Sequence, residues 1–534
     1  MWWTSNRAIV ASVHNDARNI LNDKEIRGPS WSPDGDLTYF ILNNGTVQLH
    51  GPRGIIVQGE DIFPFRTSWL PTGEFIYTSS GKIRRRGLET AESSVSEFSA
   101  QLSIVKPKYQ RVRRDFDSVA SRPVLGIGSP ALSPDGRNIA FRALSDIWTM
   151  TIGDQPRRVC RDGFHKSDPA WSPDGRWLPY SSDRGGKLDI WLRDLRTGED
   201  PQLTHLSDAG LSGSWSQDGR SIAFLDQAGS LYTIEIESGT VQKVYGPLWE
   251  PGRPSWGPNG RTIALAAFKP YSASYREGLS EILTVDRMTG NVEYQSPLPH
   301  RSLSTRGDDG PVWSPDGTKI AFALASLLWI ASVDARGRLT GAPRMINAEV
   351  TDAPSCSGDS KTLLYRCNGS LRLLAAEGGK PQIVPLSLHW AMAKPAGRTV
   401  LRVGRFWDGR SPDLRENVDV LIDSNKIAGI VSQDGNAYGD AKIVDAPRSI
   451  AMPGLMDMHT HRQMQGYSYG DRQGRLWLSL GITTTRSVGS PAYHMVEDRE
   501  SIDSGARVGP RHFATGEAID GSRIFYNFRR PVTE

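Results

Sequence analysis

The chain has 534 residues, which at roughly 100 to 200 residues per domain predicts two to four domains. Its 63 Lys+Arg against 59 Asp+Glu leave a formal charge of +4 without a basic stripe; this gives nucleic acid little support as a partner, and the densest basic stretch, Lys106 to Arg114, reads as a solvated connector. The longest mainly apolar run, Ile320 to Ala331, has 12 residues against the ~20 that span a bilayer, so no transmembrane segment is expected, and 54 Gly, 34 Pro and 16 Trp predict short strands with frequent turns.

The N-terminus, Met1 to Val10, is Trp-rich and has no basic region followed by an apolar run of signal-peptide length. The protein is therefore cytoplasmic if Met1 is its start, or begins ahead of this sequence. Cys160, Cys356 and Cys367 include no CxxC pair and make no disulfide framework, which leaves the redox compartment open.

In chain order, the dominant signal is a W-S-P-D-G motif. It starts at Trp31, Leu132, Trp171, Trp215, Trp256 and Trp313, with worn copies at Trp69 and Cys356. In the clear copies an apolar residue ends one strand, Asp-Gly or Asn-Gly, preceded by Pro in all but the Trp215 copy, turns the chain, and an alternating stretch such as Ile139-Ala140-Phe141 begins the next. A third strand (Asp146 to Met150, Asp189 to Leu192) and a fourth (Pro201 to Thr204) complete a propeller blade. From Leu132 onward the starts lie 39, 44, 41, 57 and 43 residues apart, near the ~40 to 50 of propeller repeats. The wide interval holds Lys269 to Gly278, with Tyr271, Tyr275 and Arg276, read as a long loop over one end of the ring. The 63 residues from Trp69 to Leu132 place a domain break.

These repeats resemble TolB-type propellers, whose blades carry the same W-S-P-D-G turn and D-I-W strand. The resemblance implies a six-bladed TolB-like β-propeller over 116–390, with 1–115 as partial blades of a preceding propeller; a single eight-bladed ring is the alternative. It also implies a periplasmic or extracellular location and a possible protein partner on the propeller.

Beyond Pro395, Arg398 to Gly409, Asn417 to Asp423 and Lys426 to Val431 read as short strands with turns at Asp408-Gly409 and Ser424-Asn425. They lead into Ile450 to His461. In an extended strand, residues two apart face the same side, so His459 and His461 project together, with Asp457, while Thr460 points away. Two imidazoles on one face suit a divalent metal such as zinc, although an HxH pair alone is weak evidence and more often marks surface or packed histidines. Downstream, Leu476 to Leu480 reads as a helix end stopping near Gly481, Ile482 to Ser487 as a strand, Ser501 to Gly505 as a second helix end and Val508 to Thr515 as a further strand.

The run Met452-Pro-Gly-Leu-Met-Asp-Met-His-Thr-His461, followed by Gly481-Ile-Thr-Thr-Thr-Arg486, resembles the amidohydrolase superfamily, in particular its members with a TolB-like propeller ahead of the hydrolase domain. The resemblance implies a mainly β chain in which a small β-sandwich (397–452) and the start of a (β/α)8 barrel (453–534) follow the propeller. It implies that His459 and His461 are metal ligands, with one or two zinc ions in the complete protein and a catalytic base beyond Glu534; Asp457, on the same face, either stands behind the ligands or has a purely structural role at the strand end. Arg462, Tyr469, Arg486, His494, His512, Glu517 and Arg523 are candidates for the barrel mouth, each with a packing or surface role as the alternative.

The 81 residues after Pro453 fall short of the ~250 of a full barrel, so the chain reads as a fragment. The implied activity is hydrolysis of carbon–nitrogen bonds in small amide-like or peptide-like substrates, the propeller gating access or binding substrate. The alternative is a non-catalytic TolB-like binding module with a remnant hydrolase segment. A propeller-gated serine peptidase, a third class, is the least favoured of the three.

Overall fold

A computed structural model describes residues 2–4, 7–11, 17–19, 25–43, 46–106, 115–270, 278–435, 437–461, 472–521 and 529–531. The chain is mainly β, and its described helices are α1 (Arg472–Ser479) and α2 (Ala492–Asp503). Two compact units emerge, Met1–Arg114 with Pro270–Glu277, and Asp115–Lys269 with Gly278–Glu534.

The first unit holds three antiparallel sheets: Trp2–Thr4 with Arg7–Ala11 and Ala17–Asn19, then four strands from Glu25–Trp31 to Gly54–Val57, then four from Ile62–Trp69 to Ser94–Ser96. Phe40, Leu49 and Val57 of the second sheet bury against Ile62, Phe75 and Tyr77 of the third.

In the second unit six successive antiparallel sheets follow, here called blades I to VI. Their innermost strands are Gly128–Leu132, Lys166–Ser167, Leu211–Trp215, Ser255–Trp256, Val312–Trp313 and Asp352–Cys356. Blade II has three strands in its sheet, and a bridge from Trp191 to Gln202 takes the place of the fourth. The motif works as a side-chain-tied turn. In blade I the Ser133 hydroxyl donates to Asp135 Oδ1 at 2.5 Å, that oxygen accepts the Arg137 N–H at 3.0 Å, and Ser133 N–H reaches Asn138 O at 2.8 Å. The Ser133 hydroxyl and the Arg137 N–H hold the Asp135 carboxyl below its ordinary range. The same pair recurs as Ser172–Asp174, Ser216–Asp218, Ser314–Asp316 and Ser357–Asp359.

Each blade packs on the next through one apolar cluster, and the cluster joining Ile139, Phe141 and Met150 of blade I to Leu364, Leu371 and Val384 of blade VI closes the ring. At this seam Arg122–Pro123 pairs antiparallel with His389–Trp390, and Trp390 enters the shared cluster. The Lys269 to Gly278 interval is flanked by nine-residue strands, Thr262–Pro270 and Gly278–Asp286; Tyr271, Tyr275 and Arg276 lie outside the described residues.

The segment read as a small β-sandwich forms one mixed sheet. Arg398–Phe406 pairs antiparallel with Arg415–Asp423 and parallel with Lys442–Ala451, and Lys426–Ser432 completes the order. Val403, Phe406, Val418 and Val420 bury on one side. Four strands in one ladder use every strand of the segment, so no second layer forms among the described residues.

Strands and helices then alternate. Leu455–Thr460, Ile482–Ser487 and Arg511–Ala514 make a parallel sheet, with α1 and α2 as the two connections. Gly481 follows α1 at φ +78, a conformation side chains disfavour, and lets the chain turn into the second strand.

Candidate functional site

The strand Leu455–Thr460 lies at the edge of the parallel sheet, its start tied by Leu455 N–H to Gly481 O at 2.9 Å. Alternation puts Thr460 in the interior, while His459 is exposed and His461, just past the strand, is half-buried. The two imidazole centroids stand 5.3 Å apart with planes at 69°. Asp457 Oδ1 accepts the His459 N–H at 3.1 Å, and Gln473 of α1 donates to His461 O at 3.0 Å.

His461 Nδ1 lies 3.0 Å from Gly489 O. A carbonyl only accepts, so Nδ1 carries the proton and the ring's lone pair sits on Nε2. Burial pushes the His461 pKa down, the Gly489 carbonyl counters it and the neighbouring His459 adds to it. A neutral ring of fixed tautomer is the form a metal requires. The donor set therefore fits two of the three protein ligands a catalytic zinc takes. Among the described residues no group of three His, Cys, Asp or Glu comes together.

The other candidates among the described residues do not converge on this pair. Arg486 Nε donates to Met458 O at 3.1 Å, bracing the histidine strand. His512 is buried, with Nδ1 3.0 Å from Thr485 Oγ. Arg462, Tyr469 and Arg523 lie outside the described residues. His494 and Glu517 face the propeller.

There, two buried charge clusters hold α2 against the ring. In the first, Arg306 pairs with both Asp352 and Glu517. Arg366 and Arg530 each reach Asp352 at 2.9 Å, and Arg530 also pairs with Glu517. Glu517 Oε1 accepts the Ala492 N–H, at the start of α2, at 2.8 Å. Burial alone would raise the Glu517 pKa, but Arg306 and Arg530 hold it below the usual range. Tyr493 stacks on Arg366, and its hydroxyl lies 3.3 Å from Asp308 N. Asp308 accepts Ser129 N–H at 2.7 Å and stands 3.6 Å from His494 Nε2; against burial, His494 and Arg142 hold its carboxyl well below the ordinary range.

In the second cluster Glu497 accepts Ser145 N–H at 2.7 Å and faces Arg142 and Arg507 at 3.6 and 3.5 Å. Arg507 pairs with Asp498 and reaches His165 Nδ1 at 2.6 Å. Glu500 caps Leu125 and Gly126 N–H at 2.9 to 3.2 Å. The sequence reading missed all of this. Arg306-Gly-Asp-Asp-Gly310, a polar run ahead of a blade's inner strand, is the signal in the sequence that could have pointed to it. An open pocket of about 310 Å³ is lined by residues from all six blades, among them Trp171, Trp215, Arg253 and Asp308.

With this geometry in view, the TolB beta propeller domain family (PD40) matches residues 114–273. An uncharacterized Agrobacterium fabrum protein, Atu1656, is 23% identical over 320 residues, which is 57% of this chain and 97% of that protein. The uncharacterized peptidase YuxL of Bacillus subtilis is 27% identical over 215 residues, 38% of this chain and 30% of the peptidase. A dihydroorotase of Syntrophus aciditrophicus is 36% identical over 72 residues, 14% of this chain and 17% of the enzyme. The chain thus spans less than a third of the peptidase and of the dihydroorotase. Among solved structures, TolB from Acinetobacter baumannii aligns with TM-score 0.37 and 18% identity over 60% of this chain and 78% of that one. The propeller is TolB-like.

Proposed function

We propose that this chain carries part of a metal-dependent hydrolase of carbon–nitrogen bonds in small amide-like substrates, built on a TolB-like propeller that holds the β/α segment in place. The observation that carries this reading is the His459–His461 pair, side by side at the end of a parallel strand, with the Nδ1 proton of His461 held by a backbone carbonyl. The short stretch of similarity to a dihydroorotase supports it. Zinc held by these imidazoles would act as a Lewis acid toward the substrate carbonyl. The chain's own residues do the positioning: Gly489 fixes the His461 tautomer, Asp457 ties the His459 backbone, and Arg486 holds the strand beneath them. The β/α segment is the proposed start of a (β/α)8 barrel. A periplasmic or extracellular location and a protein partner on the propeller belong to the same proposal.

A second reading, a non-catalytic binding module, draws support from the family match, which falls on the propeller. No helix among the described residues is long and apolar enough to cross a membrane. One experiment separates the two. The full chain is dialysed against zinc and its metal content measured. The hydrolase reading expects about one bound zinc that is lost in His459→Ala and His461→Ala. Wild-type protein without stoichiometric zinc would hand the function to the propeller.

A further inference from the structure

A continuous line of contacts runs from the propeller to the histidine pair. Arg306 pairs with Glu517, Glu517 accepts the Ala492 N–H at 2.8 Å, and three residues earlier Gly489 O meets His461 Nδ1 at 3.0 Å. Between those two anchors lie only Ser490 and Pro491. Pro491, at φ −52 and ψ 127, is rigid, and Ser490 Oγ is 3.2 Å from Ser487 Oγ in the interior. The other end of the loop is fixed as well, because Ser487 O accepts the Thr515 N–H at 3.1 Å. A short stiff loop pinned at both ends leaves the Gly489 carbonyl one position. Tyr493 and His494, the next two residues of α2, are buried against Arg366 and Asp308 and keep the helix start from sliding.

We infer that Ala492 and Glu517 are positioning residues for His461. By pinning the start of α2, the propeller sets the Gly489 carbonyl that selects the Nδ1–H tautomer and aims Nε2 at the metal. This rests on the proposed ligand role of the histidines.

The test removes one hydrogen. Ala492 is the first residue of α2, where proline is tolerated and the N–H has no partner within the helix. Pro491 already has the extended geometry a residue before proline needs. Ala492→Pro therefore deletes the donor to Glu517 while leaving every charge in place, and Glu517→Ala deletes the acceptor. Two readouts are taken on the full chain: zinc affinity by calorimetry with ZnCl₂, and the His461 tautomer by ¹⁵N NMR without metal, with the thermal midpoint measured beside them.

The expected result is a predominantly Nδ1–H ring in the wild type, and in either folded variant a mixed tautomer with zinc bound about ten-fold or more weakly. A wild type dominated by the Nε2–H tautomer overturns the inference, whatever the variants do. So does a folded variant with tautomer and affinity unchanged. If the wild type binds no zinc, or His461→Ala binds it as well as the wild type, the ligand reading fails instead. The metal-free tautomer shift still decides whether α2 positions the ring.

Discussion

Asp308 and Asp309 are adjacent and both buried, yet their surroundings drive them apart. Asp308 faces His494 and Arg142 and stays ionised, whereas burial and the nearby Asp352 carboxylate push Asp309 up to about 7, against the pull of Arg306. Asp309 is held by the Ser304 hydroxyl and the Ala353 N–H, and the latter donates to Oδ1 at 2.6 Å. An unfolded aspartate titrates near ~3.9, so between about pH 4 and 7 the native state binds the extra proton. Stability from this group is therefore complete below pH 4 and lost as pH rises through 7. Asparagine mimics the protonated form. Asp309→Asn is expected to match the wild type at pH 5 and to exceed it at pH 8 by about 1 to 2 kcal/mol, less than the roughly 3 kcal/mol an isolated group would lose over that interval because the surrounding arginines readjust. Urea melts at both pH values measure this, and a gap that stays constant with pH would assign the proton elsewhere.

At the scale of elements, the sequence made the blades legible because the W-S-P-D-G turn is a local device, closed within five residues by its own serine and aspartate in five of the six blades. Gly481 and the apolar runs around it made the β–α alternation legible for the same reason. The single four-stranded sheet at 397–452 was not legible, since whether strands share one ladder or two depends on partners distant in sequence. Nor was the seat of α2, because Glu497 to Arg142 and Glu517 to Arg306 are separated by hundreds of residues and leave no periodic trace. His494 and Glu517 look catalytic in isolation, and the propeller claims both. The fit of α2 on blade I is close. A Cβ on Gly126 would run into the Glu497 backbone, which neither side can give up cheaply. Gly126→Ala is accordingly expected to cost about 1 to 3 kcal/mol. It should raise amide exchange in α2 before that of Asn138–Ala143, and equal protection in both segments would mean the helix is not held there.

A ring must also close on itself. Here the seam between blades VI and I is joined by the two-residue pairing of Arg122–Pro123 with His389–Trp390 and by a shared apolar cluster, a short join for the place where the chain enters and leaves. The described residues of 489–521 and 529–531 lie across this place. They bond to blade I at Gly126 and Ser145, to the chain entering blade II at His165, to blade VI at Asp352 and Arg366, and to blade V and the chain entering it at Ser326 and Arg306. Their contacts fall on both sides of the seam, so opening the ring there also breaks the charge clusters, and buried pairs parted in this way cost roughly 3 to 5 kcal/mol. The β/α segment thus serves as a second clasp on the propeller, and the propeller in turn holds the loop behind His461. Trp390→Ala, which removes a buried tryptophan from the seam, is expected to cost about 3 to 5 kcal/mol. Hydrogen exchange should then show Gly128–Leu132, Gln382–Val384 and α2 losing protection in step, while Leu211–Trp215 and Ser255–Trp256, on the far side of the ring, keep theirs. A uniform loss around the ring, or an α2 that stays protected while the seam opens, would separate the helix from the seam and remove its role as a clasp.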